Sequence, residues 1–392
     1  MNGTEPLKIK HHSLTGRITL RVMCDAFHAV RKNRGAAGVD RVSIEMFEAN
    51  LEQNLERLMR ELKAGTFQPL PARRKYIDKG GGKKRPLGIP SVRDRVAQEV
   101  LRRLLNPLFE PLFHDQSYGF RPHKSCHDAL EKVAEFRRAG RRFVLDADIQ
   151  GFFDNIPFDV ILTGLRHVIS DGNILDLVQR FLTAGVMEDG VIYPTTVGTP
   201  QGGVLSPLLA NIALNFLDWK LHEARFRFVR YADDFVILCR LKHRTEEARQ
   251  LVESGLTELG LKLSHEKTKV TTFCEGFTFL GFDFHHQACA MRQKSVEKYK
   301  DRIRELTVRC RNLDAQAIAR INAVIRGVAR YFATSFSTVA SQFADLDGWT
   351  RKRLRCMKLK RISDRDNYRL KNKHLHRLGL ISLRDFLPPP DT

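Results

Sequence analysis

The stretch from Phe226 to Cys239 constrains this chain more than any other. Phe226, Phe228, Val236 and Leu238 alternate with other residues on either side of Tyr231-Ala232-Asp233-Asp234, which is the period of two expected of a half-buried β-hairpin. Two adjacent carboxylates then sit at or beside its turn. Aspartate tolerates turn dihedrals and is common in turns for that reason alone, so the pair gains meaning only if other acids reach the same place. Arg142 to Ile149 supplies them: Phe143-Val144-Leu145 reads as a short apolar strand that runs into Asp146 and Asp148.

The rest of the chain reads as helices interrupted by turn signals. From Leu20 to about Leu70 the pattern is mostly helical, with Leu51, Leu55, Leu58 and Leu62 at three- and four-residue spacing. Tyr76-Ile77 and Leu87-Gly88-Ile89 flank Lys79-Gly80-Gly81-Gly82-Lys83-Lys84-Arg85-Pro86, a hairpin with a basic tip. A helix is expected from Val92 to about Leu105. Ser206-Pro207 opens another with a good cap and a proline suited to the first turn, and Leu208, Ile212, Phe216 and Trp219 mark its buried stripe. A glycine loop, Gly198-Thr199-Pro200-Gln201-Gly202-Gly203, comes immediately before it. Lys294 to about Met357 is helical and basic, and no internal repeat at a solenoid period is visible.

At 392 residues the chain has room for two or three compact units. Lys and Arg number 66 against 45 Asp and Glu, a formal charge of +21. Residues 291–392 hold 24 basic and 10 acidic residues, so +14 of that surplus lies in the last quarter. A polyanionic partner is expected, held chiefly towards the C-terminal side. Six basic residues in ten from Arg351 to Lys360, with Leu354, Met357 and Leu359 between them, point to RNA contact. Seven scattered cysteines without a Cys-x-x-Cys pair argue against a zinc finger or a disulfide framework. Met1 to Thr15 lacks the apolar core of a signal peptide, and no run approaches the ~18 residues of a membrane span. A reducing, cytoplasmic compartment without membrane attachment is therefore expected.

Mg²⁺ takes oxygen ligands in octahedral geometry, so phosphoryl transfer assisted by two such ions needs acids that converge from separate strands. Asp148 and Asp233 meet that need, with Asp234 assisting or orienting.

In combination these segments resemble a known family. Tyr231-Ala232-Asp233-Asp234 resembles the catalytic box of reverse transcriptases. The other boxes follow in the matching order: Arg85-Pro86-Leu87-Gly88-Ile89-Pro90, Tyr118-Gly119-Phe120-Arg121-Pro122, Asp148 with Phe152-Phe153-Asp154, and Pro200-Gln201-Gly202-Gly203 through Asn211. Together they are similar to group II intron-encoded reverse transcriptases. Phe279-Leu280-Gly281-Phe282 resembles their primer-grip segment, while Ile325-Arg326-Gly327 through Tyr331-Phe332 and Gly348-Trp349 through Leu354 resemble their maturase thumb. Val328 departs from the pattern, where the family often has tryptophan. No downstream Cys-rich or His-Asn-His endonuclease segment follows, so second-strand cleavage by this chain is not expected.

The resemblance implies an α+β right-hand polymerase, with fingers and a palm built on an antiparallel sheet, followed by an α-helical thumb/maturase domain. The expected divisions are 1–70 for an N-terminal helical extension and the start of the fingers, 71–285 for the fingers and palm, 286–360 for the thumb/maturase domain and 361–392 for a basic tail. Asp148, Asp233 and Asp234, with the backbone of Ile149, would hold two Mg²⁺ ions. Lys79 and Arg85 would meet the triphosphate of a dNTP. Phe153 would exclude a ribose 2′-hydroxyl while Phe152 packs in the core, Gln201 would approach the nucleotide or template, and Lys267 would stand near the leaving pyrophosphate. Phe279, Leu280, Gly281 and Phe282 would hold the primer, and Arg351, Lys352, Arg353 and Arg355 the RNA. The implied activity is RNA-directed DNA polymerisation, adding dNMP to a primer 3′-hydroxyl, with intron RNA binding and splicing assistance. Its partners would be an RNA template with its primer duplex, dNTPs and a structured group II intron RNA.

Three other readings stay open on the sequence. One is a reverse transcriptase of the same fold detached from any intron and serving host defence or DNA repair. Another is a splicing cofactor that no longer polymerises, although Asp148, Asp233, Lys79 and Arg85 together exceed what binding alone requires. A generic basic RNA-binding module is the last.

Overall fold

The computed structural model describes residues 10–78, 84–363 and 365–389. Its strands, in chain order, are β1 (Ala72–Asp78), β2 (Lys84–Ile89), β3 (Phe143–Asp148), β4 (Val186–Glu188), β5 (Val191–Tyr193), β6 (Arg227–Tyr231), β7 (Asp234–Cys239), β8 (Lys269–Thr272), β9 (Phe277–Phe279), β10 (Phe282–His285) and β11 (Ala288–Met291). They form three sheets of order β2-β1-β4-β5, β6-β7-β3-β8 and β11-β10-β9. The chain divides into two compact units, one of residues up to 129 with 145–270, the other of 130–144 with 271 onwards. The division falls ahead of residue 285, the boundary expected from sequence, because β9 to β11 pack with the helices that follow them: Phe282 stacks against Tyr331 and Phe332.

The first unit begins with helices Leu20–Asn33, Ile44–Glu48 and Leu51–Ala64. Thr19 and Ser43 cap the first two by accepting from Val22 and Met46 N–H, and Leu55, Leu58 and Leu62 form the buried stripe of the third. β1 and β2 pair antiparallel from Arg73↔Ile89 to Asp78↔Lys84, which confirms the hairpin expected there. Lys79 lies outside the described residues. Helix Val92–Phe109 starts at Ser91, whose hydroxyl accepts from Asp94 N–H, and runs on past Leu105 through Pro107.

Three local expectations are corrected. Helix Ser206–Glu223 is buried on most of its circumference rather than along one stripe, and Phe216, assigned inward, is 45% exposed. Lys220 covers its ring instead. Ser206 is not a cap: its hydroxyl donates to the Pro200 carbonyl at 2.9 Å and accepts from Thr199 Oγ1 at 2.6 Å, tying the glycine loop to the helix start. The hairpin β6–β7 forms where expected, yet both its faces are covered, since Phe235 and Ile237 are buried alongside Val236 and Leu238. Helices Ser206–Glu223 and Lys242–Glu258 pack against these strands, and β7 reads as a continuous apolar run, Phe235 to Cys239.

The second unit is carried by helices Gln293–Leu306, Ala315–Phe332 and Ala340–Leu359. Asp314 caps the middle helix at Ala317 N–H, and Tyr299 and Thr350 share a buried hydrogen bond of 2.8 Å between the outer two. Residues 361–389 fold back onto these helices instead of trailing away. Leu375, Leu380 and Leu383 are buried, Asp347 accepts from Leu383 N–H at 2.8 Å, and Asn322 donates to the Gly379 carbonyl at 2.7 Å.

Candidate active site

The β6–β7 hairpin closes through a two-residue turn, with Tyr231 paired to Asp234 and Ala232-Asp233 between them. Two-residue hairpin turns that match strand twist need a positive φ at their first central position, normally a glycine. Here that residue is Ala232, at φ 59°. The turn thereby presents Asp233 at the tip and Asp234 as the first residue of β7, next to the end of β3, where Asp146 and Asp148 share one face by the two-residue repeat.

Crowding of carboxylates in one partly buried place raises the proton affinity of Asp146, Asp233 and Asp234. Burial pushes Asp234 up to about 7, with Asp146, Asp233 and Asp148 adding repulsion. Burial and then Asp148 lift Asp146 to about 6, opposed by Lys269. Asp233 is raised by burial and by Asp148, and lowered by its backbone hydrogen bond, Arg85 and Lys267. The sequence reading had named Asp146 without giving it a part. Its i, i+2 spacing from Asp148 was the available signal.

Lys267 answers this negative charge directly. Its ammonium donates to Asp148 Oδ2 at 2.8 Å, and that bond above all holds its proton more tightly than usual. The segment that carries Lys267 is laced to the end of β3: Ser264 N–H donates to the Asp148 carbonyl at 2.8 Å, Gln150 N–H to Lys262 at 2.9 Å, and Ile149 bridges Leu263. The Ile149 side chain is buried, so only its backbone is available to the site.

The glycine loop brings a second group of predicted residues together. Gln201 Oε1 accepts from Arg85 Nε at 2.6 Å, and Gln201 Nε2 donates to Asp154 at 3.2 Å. Its carbonyl accepts from Gly88 N–H at 2.8 Å. Gly202, at φ 105°, lies so near β2 that a Cβ there would come within 2.7 Å of the Gly88 carbonyl, so the loop needs glycine both for conformation and for closeness. Phe153 sits just behind, 8% exposed, with its carbonyl accepting from Thr199 N–H at 2.7 Å and its ring edge-on to Phe120 and to Phe152. Phe120 is half exposed at φ 61°, a contact partner that sequence reading did not single out.

Among the described residues no three carboxylate, histidine or cysteine side chains stand as a ready-made metal cage. Mg²⁺ commonly binds through one or two carboxylates and completes its shell with water and substrate phosphate, so the donor set fits that ion and not one needing an all-protein cage.

In the second unit, Phe279 and Phe282 are fully buried and pair across the β9–β10 turn. The turn Leu280-Gly281, which lines a surface cavity, remains for a ligand, and it is held by Tyr331 Oη donating to the Leu280 carbonyl at 2.8 Å. The basic run also divides. Arg355 is buried, donating to the Leu370 carbonyl at 2.9 Å and to Asn372 at 2.6 Å. Arg353 donates from Nε and Nη2 to Thr307 at 3.1 Å. Arg351 and Lys352, with Lys371 and Asn367, line a cavity of about 390 Å³ open to the surface. Arg353 and Arg355 thus have partners inside the protein, Arg355 while also lining that cavity, and RNA contact by Arg351, Lys352, Arg353 and Arg355 stays an expectation.

Comparison with known proteins agrees with this geometry. Residues 77–284 match the family model of reverse transcriptase (RNA-dependent DNA polymerase), and residues 296–379 match that of the group II intron, maturase-specific domain. Protein YkfC of Escherichia coli (strain K12) is 34% identical over 303 residues, covering 66% of this chain and 79% of that protein. Group II intron-encoded protein LtrA of Lactococcus lactis subsp. cremoris is 40% identical over 207 residues, 52% of this chain but only 34% of its own length. Among solved structures, telomerase from Candida albicans aligns with a TM-score of 0.46 at 15% identity, covering 86% of this chain and 66% of that one.

Proposed function

The chain belongs to the reverse transcriptase family and carries a group II intron maturase-specific domain, and from that premise we propose that it copies RNA into DNA by adding dNMP to a primer 3′-hydroxyl at Asp148, Asp233 and Asp234. The observation that carries the reading is the convergence of these acids on Asp146 in a partly buried site, where Asp234 is lifted to about 7. Such a cluster is costly in itself and calls for cations. Bound there by Asp148, Asp233, Asp234 and the Ile149 backbone, Mg²⁺ would neutralise charge at the attacking and leaving oxygens.

The chain's own residues divide the remaining work. Arg85, set by Gln201, meets the triphosphate from β2, with Lys79 beside it in the sequence. Phe153 closes the sugar side of the site against a 2′-hydroxyl. Lys267 neutralises Asp148 in the free protein and, with its proton held tightly, turns to the phosphates once the acids are otherwise balanced. The second unit, through Arg351, Lys352 and the Leu280-Gly281 turn, grips primer-template and a structured intron RNA, mainly by phosphate contacts that do not read sequence.

A primer-extension assay on an RNA template tests the chemistry. Asp233→Asn abolishes extension while the RNA dissociation constant stays within about twofold; loss of both together would remove Asp233 from metal chemistry. Cross-linking in the native host tests the partner. Recovery of one structured intron, lost when Arg351 and Lys352 are neutralised, supports a maturase role, and a spread of unrelated RNAs points to copying outside splicing.

A further inference from the structure

Among the described residues Arg230 is the largest side chain fully withdrawn from solvent. Its Nε and Nη2 donate to the two oxygens of Asp218 at 2.7 and 2.5 Å, and both residues are 1% exposed. Nη1 has two further partners: Asn211 Oδ1 at 3.1 Å and the main-chain carbonyl of Ala232 at 2.9 Å. Asn211, also buried, passes the link on by donating to the Gly119 carbonyl at 2.9 Å. Gly119 lies so tightly against the turn that a Cβ there would stand 2.3 Å from Ala232 N.

This arrangement is odd for a stabilising feature. A buried ion pair can often be replaced by apolar residues of similar volume with no loss of stability, so stability alone does not account for one behind the sheet. The turn it touches does. Ala232 is held at φ 59°, a conformation that a non-glycine residue keeps only under outside constraint. Its carbonyl belongs to the same peptide plane as the Asp233 N–H, so fixing that oxygen fixes the plane from which the Asp233 side chain departs.

We propose that Asp218, Arg230 and Asn211 form a positioning device that fixes the Ala232–Asp233 peptide and so aims the Asp233 carboxylate beside Asp148. All three act through Asp233. Arg230 reaches round from β6 to the turn that ends its own strand, Asp218 fixes the guanidinium in its plane, and Asn211 ties the assembly to Gly119.

The inference rests on the polymerase reading of Asp233, and its test separates the two. Asp218→Leu and Arg230→Met together remove both charges and leave no buried ion alone. The double variant keeps its melting temperature within a few degrees and its KM for dNTP within about twofold, while kcat falls about 10- to 100-fold and half-saturating Mg²⁺ rises. Amide exchange over residues 226–239 accelerates, with exchange elsewhere unchanged. A folded double variant with wild-type kcat and wild-type exchange in that hairpin would overturn the proposal. If the double variant fails to fold, Arg230→Lys decides: it preserves the charge pair but cannot span both Asn211 and Ala232, so kcat falls at unchanged KM, and full activity would equally overturn the proposal. A wild-type protein that extends no primer sinks the polymerase reading alone, and the exchange comparison then decides the positioning role without activity.

Discussion

The acidic end of the first unit and the basic helices of the second handle charge in opposite ways. At the first, Asp146, Asp148, Asp233 and Asp234 crowd together inside a chain whose net charge is +21, and the ion pair of Lys267 with Asp148 answers their repulsion only in part. In the second, two of the cations expected on a binding face already have partners within the protein: Arg353 in Thr307, and Arg355 in Leu370 and Asn372. Unbalanced charge marks the place where a ligand completes the structure. Counted charge does not, because a guanidinium that pins a loop and one that awaits a phosphate are the same letter in a sequence.

The contrast breaks most sharply at Asp148. Asp148→Asn lowers primer extension by about 10³-fold, several kcal/mol of lost transition-state stabilisation, with RNA affinity intact by filter binding. Arg351→Gln with Lys352→Gln does the reverse: kcat on a short preformed primer-template holds, while RNA affinity falls and the slope of log K against log salt shrinks by about one to two. If Asp148→Asn weakened RNA binding as much as extension, the two regions would not be separable in function. Next in size is Phe153→Val, which opens the sugar side of the site. The ratio of kcat/KM for dNTP over rNTP then falls by about 10- to 100-fold, and an unchanged ratio removes Phe153 from the gate.

These outcomes depend on how much of each region the sequence displays. Asp148, Asp233 and Gln201 are legible because each lies where local chain geometry is forced, at a strand end, a tight hairpin or a glycine loop. Asp146 is visible but has no part from sequence alone, since only the placing of β3 beside β7 brings its charge to bear on Asp234. The pairing of Asp218 with Arg230 could not be read: the partners lie on a helix and a strand, and no periodicity relates a helical aspartate to an arginine of the following strand. Phe216 was assigned inward by spacing and stands outward, because a helix covered on most sides presents no single stripe to count. In the second unit the helices were clear from their apolar spacing, but which arginines point inward depends on residues 361–389 folding back, and nothing in the basic run signals that return.

Arg355 provides the test of that last point. Arg355→Ala removes the donors to the part-buried Leu370 carbonyl and to Asn372, costing about 1 kcal/mol, whereas Arg351→Ala stays within about 0.5 kcal/mol. Chemical denaturation of the two variants measures the difference. Equal effects would mean that the basic run is uniformly solvated after all and that the two regions differ less than their geometry implies.

The smallest effect is the most specific to the acid cluster. Asp234 and Asp146 take up protons at about 7 and about 6 in the folded protein, against 3.8 for an ordinary aspartate. A carboxyl whose folded value is raised binds more protons folded than unfolded, so the stability it contributes is complete below pH 3.8 and is lost as pH rises through 6 and 7. Metal-free protein therefore loses stability from this source between pH 3.8 and about 7. Mg²⁺ needs the ionised oxygens and competes with those protons, so its half-saturating concentration falls as pH rises from 6 to 8, by up to about tenfold for each proton displaced, and saturating Mg²⁺ offsets the loss of stability. Asp146→Asn removes the strongest charge repulsion on Asp234, so the midpoint of the Mg²⁺ response moves to lower pH. Calorimetric titration of wild type and variant at matched ionic strength reads that shift. An identical pH midpoint in the two proteins would mean that Asp146 does not share the site, leaving the negative end of the comparison to Asp148, Asp233 and Asp234 alone.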